Sequence, residues 1–204
     1  MILIGMLDSP YVRRVAVSLK LMGLPFEHRS LSVFRTYDEF HAINPVVKSP
    51  SFICDDGTVL MDSTLILDYL EHCVAGARRL MPEGGDARRE ALRLIGLAMA
   101  ANEKCVQLYY EKAMRPEDKR HMPWLERVTQ QAHEAFTLLE KACAGRASWL
   151  QGDRPNAADV AVAVAWRFSQ IYDAAEIDAS KYPALVAYTA RAEAHPAFAS
   201  TPIE

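Results

Sequence analysis

The sequence predicts an α/β fold followed by an all-α one: a small mixed sheet covered by helices, and then a helical bundle. In residues 1–75, short apolar runs alternate with helical patterns and a hairpin signal, which favours a layered sheet. Beyond residue 87, long helical patterns follow one another without a convincing strand. Residues 76–87 are rich in glycine and charge and predict a linker, so the expected domains are residues 1–75 and 88–204.

The first element is a strand–helix–strand unit. Residues 1–7 are apolar and predict a buried strand, and residues 26–33 predict a second strand parallel to it. Between them, Pro10 suits the first helical position and Gly23 ends the helix. Apolar residues at helical spacing, with basic residues between them, define this helix: Val12, Val15, Leu19 and Met22 against Arg13, Arg14 and Lys20.

Ser9 lies where the first strand ends and the helix begins. Backbone N–H groups and the positive end of the helix dipole converge at such a point and suit an anion. A serine there has two interpretations, because it is a preferred N-cap residue and because its hydroxyl can donate a hydrogen bond to a bound thiolate. Taken alone, the position favours the cap.

A hairpin and a helix complete the first domain. Residues 36–43 can form one or two helical turns. Residues 51–54 and 58–61 predict strands that flank Asp56-Gly57, a dipeptide typical of a two-residue hairpin turn. Asp62-Ser63 then opens a helix.

The second domain reads as helices. Asn156 precedes an apolar run, and Asp159 follows three residues later, which predicts a capping box that serves folding and not chemistry. The expected helices cover residues 87–114, 123–144, 156–172 and 183–194.

Composition narrows the functional classes. The net charge of −3 and the absence of a basic stripe argue against nucleic acid as a partner. The four cysteines are widely spaced without a C-x-x-C motif, and the first residues lack a signal-peptide pattern, which predicts a cytoplasmic protein. No apolar run is long enough for a membrane helix, and no residue spacing indicates a metal site.

Three motifs occur in a fixed order: SPYVRR at residues 9–14, N-P-x-x-K-S-P at residues 44–50, and Asp62-Ser63 at the next helix start. Together with LMP in the linker, the capping box and HPAF-x-x-T near the C-terminus, the set resembles the soluble glutathione transferases with a serine-type active site. The resemblance covers essentially the whole chain. It implies a thioredoxin-like N-terminal domain, a helical C-terminal domain, and glutathione as co-substrate bound mainly by the first domain.

The resemblance also assigns roles to single residues. Ser9 resembles the family's thiol-activating serine. Pro50 resembles its cis-proline, which presents the backbone of the preceding residue to glutathione; that residue is Ser49, where the family usually has Val or Ile. Ser63 resembles the residue that binds the γ-glutamyl carboxylate. Asp62 would hold the γ-glutamyl ammonium, a position where the family more often has Glu or Gln.

Further residues are candidates for binding the glycyl carboxylate of glutathione and the electrophile. Arg35 and Lys48 could bind the glycyl carboxylate or be solvated surface charges. The resemblance implies that a small hydrophobic electrophile binds between the domains, and that two chains form a homodimer through the helix after Ser63 and the helix of residues 87–114. Candidate residues for the electrophile are Tyr11, Asn102, Val106, Tyr109, Tyr110 and Trp166, although aromatic residues at helical spacing are more often core.

Two function classes remain. The first is an enzyme that joins the sulfur of glutathione to an electrophile, with Ser9 stabilising the thiolate. The second is a binding or regulatory protein on the same fold without turnover, because fold does not fix function. Within the enzyme class, thiol transferases have Cys at the Ser9 position and maleylacetoacetate isomerases have an S-S-C-S signature in this loop; this chain has neither.

Overall fold

The computed structural model describes residues 1–203, which form two units by their internal packing. The first contains Met1–Met81 together with residues 195–203, and the second contains Pro82–Ala194. The sequence prediction placed residues 88–204 in one domain, whereas the last described residues join the first unit. Arg13 Nε donates to the carbonyl oxygen of Thr201 at 3.0 Å, a bond between residues 188 positions apart. No local sequence pattern predicts a contact between residues so far apart in the chain.

Four short strands form the sheet of the first unit: β1 Ile2–Ile4, β2 Glu27–Arg29, β3 Ser51–Ile53 and β4 Val59–Met61. Their order is β2-β1-β3-β4, with β1 parallel to β2 and the other pairs antiparallel. In one row of the sheet, Ile4 lies opposite Ser51, and Ser51 lies opposite Met61. The segments that follow β1, precede β3 and follow β4 therefore leave the sheet at the same edge.

The predicted mixed sheet is confirmed, but β2 ends earlier than residue 33. A turn replaces the rest of the expected strand. The hydroxyl of Ser32 accepts hydrogen bonds from the backbone N–H groups of Phe34 and Arg35, both at 3.1 Å. A serine side chain can form such local hydrogen bonds with the backbone, and these compete with the hydrogen bonds of a β-sheet. The apolar pattern alone does not predict this competition.

The helices of the first unit are α1 Pro10–Met22, α2 Tyr37–Ile43 and α3 Ser63–Cys73. As predicted, α1 ends at Gly23, whose φ of 66° is left-handed. Two of the basic residues that alternate with the apolar positions of α1, Arg13 and Arg14, are buried. Their partners are distant in sequence, so the helical pattern could not show them.

The second unit is helical, as predicted. Its helices are α4 Gly85–Tyr109, which continues as a π-helical segment Tyr110–Met114, then α5 Met122–Cys143, α6 Ala157–Tyr172 and α7 Pro183–Glu193. Helix α6 is central, since every residue from 157 to 166 is buried, and it packs against α4 and α7. A last short helix, α8 Pro196–Ala199, belongs to the first unit.

Within residues 1–203, no helix is long and apolar enough to cross a membrane. No group of three or more His, Cys, Asp or Glu side chains in this part of the chain is arranged to hold a metal ion. The four cysteines, Cys54, Cys73, Cys105 and Cys143, are free thiols.

Candidate functional site

The predicted glutathione-binding motifs meet at one edge of the sheet. Ser9 follows β1, Ser49-Pro50 precedes β3, and Asp62-Ser63 follows β4. Because Ile4, Ser51 and Met61 form one row across these strands, the three motifs emerge side by side although they are far apart in the sequence.

Ser9 is the N-cap residue of α1, but its side chain does not cap the helix. Its backbone is extended, with φ −67° and ψ 124°, and its carbonyl oxygen accepts a hydrogen bond from the N–H of Arg13 at 3.0 Å. Within residues 1–203, no N–H group of the helix donates to its hydroxyl, and the residue is partly exposed. The geometry thus gives no support to the capping interpretation of the hydroxyl and leaves it at the positive end of the helix dipole.

The loop before β3 is held by a small network of side chains. The amide of Asn44 donates to Ser51 Oγ at 2.8 Å, and Ser51 Oγ donates to the carbonyl oxygen of Lys48 at 2.8 Å. The peptide bond between Ser49 and Pro50 is cis, as the resemblance implies. These bonds fix the backbone around Ser49, the part of the loop that is expected to meet a peptide ligand.

Close packing joins this loop to the end of β1. Gly5 has a φ of 132°, and a Cβ placed on it would collide with the hydroxyl of Ser49 and lie 2.6 Å from a methyl carbon of Val12. Only glycine meets both requirements. The side chain of Ser49 therefore lies against the strand that leads to Ser9.

Backbone strain also concentrates here. Among residues 1–203, the non-glycine residues with positive φ are Val47, at 51°, and Asp62, at 71°. Such conformations cost about 1–3 kcal/mol each and persist where the surroundings fix them. Val47 lies in the loop before Pro50 and Asp62 lies immediately before Ser63, so both strained residues belong to the candidate site.

The start of α3 is organised by Asp62 and Arg14. The carboxylate of Asp62 accepts a hydrogen bond from the N–H of Thr64 at 2.8 Å and so caps α3. The guanidinium of Arg14 donates to Ser63 Oγ at 3.3 Å and to Thr64 Oγ1 at 3.2 Å. Ser63 is buried, with 1% of its surface exposed. Asp62 thus has a structural use in addition to any contact with a ligand.

Arg14 is the site residue that the sequence analysis missed. Burial lowers the pKa of its guanidinium to about 10, and the carboxylate of Asp62 opposes that shift, so the side chain is charged at neutral pH. A charge on a buried helix face is unusual unless it is paired. Helical spacing does not predict the burial of Arg14, because Arg13 and Arg14 lie on the side of the helix opposite Val12 and Val15.

The two cationic candidates differ in their surroundings. The guanidinium of Arg35 lies 3.4 Å from Met6 Sδ, and the carbonyl oxygen of Met6 accepts the N–H of Ser9 at 3.2 Å. Arg35 therefore lies beside the turn that carries Ser9. Lys48 is exposed, and only its carbonyl oxygen has a described hydrogen bond.

The residues predicted to contact the electrophile fall into two groups. Asn102 and Trp166 are buried, with 1% and 3% of their surfaces exposed. Trp166 packs edge-on against Phe136, with ring centres 5.4 Å apart, so the core of the helical unit accounts for it. The others are at least partly accessible: Tyr11 in the first unit, and Val106, Tyr109 and Tyr110 in the second. Helical spacing alone did not separate the inward from the outward side chains.

The comparisons with known proteins agree with this architecture. Residues 3–78 match the family model for the glutathione S-transferase N-terminal domain, and residues 122–191 match that for the C-terminal domain. A probable maleylacetoacetate isomerase of Vibrio cholerae is 29% identical over 212 residues, which cover 98% of this chain and 94% of the relative.

Solved structures are similar over the full length. A glutathione S-transferase of Methylobacterium radiotolerans, in complex with glutathione sulfonate, has a TM-score of 0.90 and 27% identity, covering 100% of this chain and 95% of that one. A glutathione transferase family member of Pseudomonas fluorescens, with bound glutathione, has a TM-score of 0.84 and 27% identity, covering 100% and 98%. With both domain models matched in order and the sheet, loop and helix starts in place, the chain belongs to the glutathione S-transferase family.

Proposed function

We propose that the protein transfers the thiolate of glutathione to small, mostly hydrophobic electrophiles, with Ser9 stabilising the thiolate. The observation that carries the proposal is the hydroxyl of Ser9, which stands at a helix start without serving as its cap. The loop of Ser49 and the start of α3 emerge at the same sheet edge and can hold the rest of the tripeptide. Relatives of similar structure contain bound glutathione or glutathione sulfonate.

The physical argument concerns the charge on sulfur. A cysteine thiol has a pKa of about 8.5, and each unit by which it falls corresponds to about 1.4 kcal/mol. A hydroxyl donor and a helix N-terminus both favour the charged form, so together they lower the thiol pKa by about one unit or more. The thiolate then attacks an electrophilic carbon and forms the carbon–sulfur bond, while the displaced electron pair leaves with a halide or moves onto a conjugated carbonyl.

The other proposed contacts bind the remaining parts of glutathione, from its cysteinyl residue to its two ends. The backbone of Ser49 pairs with the cysteinyl residue, and Ser63 at the start of α3 binds the γ-glutamyl carboxylate. Asp62 binds the ammonium with the part of its carboxylate not used by Thr64. Arg35 is the better candidate for the glycyl carboxylate, since it lies beside the Ser9 turn, and Lys48 is the second.

The electrophile has candidate contacts in each unit: Tyr11 at the start of α1, and Val106, Tyr109 and Tyr110 near the end of α4. Tyr109 is already supported by Tyr172, with ring centres 5.0 Å apart in an edge-on arrangement. Aromatic rings fixed in this way offer apolar area at low entropic cost.

A homodimer is also part of the proposal. On β4 and α3, the apolar side chains of Val59, Met61, Leu65 and Tyr69 are exposed, and Leu65 exposes 65% of its surface. A cluster of this kind on a folded protein marks an interaction surface. Light scattering at micromolar concentrations should give the mass of two chains, and the mass of a single chain would contradict the dimer.

The alternative is a binding protein without turnover. Calorimetric titration with glutathione should show one site per chain. A screen over aryl halides, enals, isothiocyanates and peroxides should then show saturable turnover with at least one class. Binding without turnover in every class would favour the alternative, and the lack of glutathione binding would contradict both.

A further inference from the structure

Arg13 and Arg14 are adjacent, buried arginines on α1 that serve different ends of the first unit. Arg13 donates to the carbonyl oxygens of Thr201, at 3.0 Å, and Phe198, at 3.5 Å, and so holds the C-terminal segment. Arg14 donates to the hydroxyls of Ser63 and Thr64 at the start of α3. The first pair of contacts is to backbone, whereas the second pair is to side chains that could themselves meet a ligand.

The chemistry of a hydroxyl determines what the contact of Arg14 does to Ser63. A guanidinium has only donors, so Ser63 Oγ must act as the acceptor in this bond. The single O–H of the serine is then left to donate elsewhere. A hydrogen bond accepted from a cation also polarises the hydroxyl and strengthens its own donation. Ser63 is thereby fixed as a donor at the N-terminus of α3, where the helix dipole favours a negative group.

We propose that Arg14 is a positioning residue that fixes the hydroxyl of Ser63 as a donor to the γ-glutamyl α-carboxylate of glutathione. The inference rests on the proposed function. In this role, Arg14 makes the γ-glutamyl end of the site selective for ligands that carry a carboxylate. Arg14 does not touch the ligand and acts through Ser63. Because it lies on α1 five residues after Ser9, it also ties the helix that carries Ser9 to the helix that carries Ser63.

The test compares two peptides that differ only at the γ-glutamyl end. Glutathione carries both the amine and the α-carboxylate, and 4-aminobutanoyl-Cys-Gly keeps the amine but lacks the carboxylate. The measured quantity is the ratio of their Kd values in calorimetry. For the wild type, the ratio should favour glutathione by about tenfold or more, as for one hydrogen bond to a charged group.

The variants are Arg14→Lys and Arg14→Gln, with Arg13→Lys as the matched control. Either Arg14 variant should weaken glutathione binding by about tenfold and leave the shorter peptide unaffected, so the ratio approaches one. Arg13→Lys should lower the melting temperature and keep the wild-type ratio. Having two Arg14 variants guards against one that does not fold, and circular dichroism selects a temperature at which each is native.

A double-mutant cycle separates positioning from general support. In the Ser63→Ala background, Arg14→Lys should cause no further loss of the ratio, because Arg14 acts through that hydroxyl. A wild-type ratio in folded Arg14 variants, or equal and additive losses in the Ser63→Ala background, would overturn the inference. If the wild type does not bind glutathione at all, the proposed function fails, and this inference fails with it. If it binds both peptides equally, this inference fails together with the proposed carboxylate contact of Ser63, whereas the proposed stabilisation of the thiolate by Ser9 is unaffected.

Discussion

The starts of α6 and α1 carry similar cap residues and use them differently. At α6, the side chain of Asn156 accepts the N–H of Ala158 at 2.7 Å, and the carboxylate of Asp159 accepts the N–H groups of Asn156 and Leu150, each at 2.8 Å. At α1, the hydroxyl of Ser9 accepts nothing from its helix. The chain caps the first helix start with its own side chains, whereas the Ser9 side chain does not cap the second. Under the proposed function, the first is a folding motif and the second a binding one.

The largest effect should come from Asp159, which also accepts a hydrogen bond from the hydroxyl of Tyr188. Asp159→Ala would leave several buried donors without partners, each costing about 1–3 kcal/mol, so the free energy of unfolding should fall by about 3 kcal/mol or more. Urea denaturation measures this. Asp178→Ala is the control, because Asp178 is exposed and its described hydrogen bonds are to Ser180, two positions away. Similar losses for both variants would show that the α6 start is not specially stabilised.

A second buried carboxylate on α6 sharpens the comparison. Asp173 directly follows the last residue of the helix, and its carboxylate is buried beside the thiol of Cys105. Burial raises its pKa to about 7, while Lys112 opposes the shift and Glu176 adds to it. A raised pKa means that the folded state holds the proton more tightly. Stability is therefore greatest below the unfolded pKa, near pH 4, and falls as the pH rises to about 7.

Asp173→Asn should remove that part of the pH dependence. Between pH 5 and pH 7, the slope of unfolding free energy against pH should become less negative by up to about 1.4 kcal/mol per pH unit. The variant should also be more stable than the wild type at pH 8. An unchanged slope, or a variant less stable at pH 8, would mean that Asp173 is ionised and well solvated in the folded protein.

Removing the cap side chains of α6 and α1 should have smaller effects on the free energy of unfolding, and the two effects should differ. Asn156→Ala should lower the free energy of unfolding by about 1–2 kcal/mol, because it removes two accepted hydrogen bonds. Ser9→Ala should change it by only a few tenths of a kcal/mol, roughly the value for a surface substitution. Equal losses in urea denaturation would mean that the hydroxyl of Ser9 is a cap after all.

What the sequence could predict depends on the range of each interaction. The hairpin around Asp56-Gly57, the helix end at Gly23 and the capping box of Asn156 and Asp159 are local, and the structure confirms all three elements. The hairpin turn is longer than the predicted two residues, because Asp55, Asp56 and Gly57 lie between Cys54 and Thr58, whose backbones are hydrogen-bonded. Each depends on residues within a few positions of one another, so their types and spacing were enough.

The rest of the site depends on distant partners. The contact between Arg14 and Ser63 spans 49 positions, and that between Arg13 and Thr201 spans 188. Only the fold brings such residues together, so the helical pattern of α1 could not predict these contacts. The burial of Trp166 could not be predicted for the same reason, because its partner Phe136 belongs to another helix. The motifs predicted which residues of the chain belong to the site, but they did not predict which residues support them.

The central claim is that the hydroxyl of Ser9 serves a thiolate and not the helix. Its most direct test is the thiolate absorbance of bound glutathione, titrated with pH in the wild type, in Ser9→Ala, and in Ser18→Ala as a control that removes another hydroxyl from α1. We expect a thiol pKa about one unit or more lower in the wild type and Ser18→Ala than in Ser9→Ala, whose value should approach that of free glutathione. Superimposable titrations of the wild type and Ser9→Ala would contradict it.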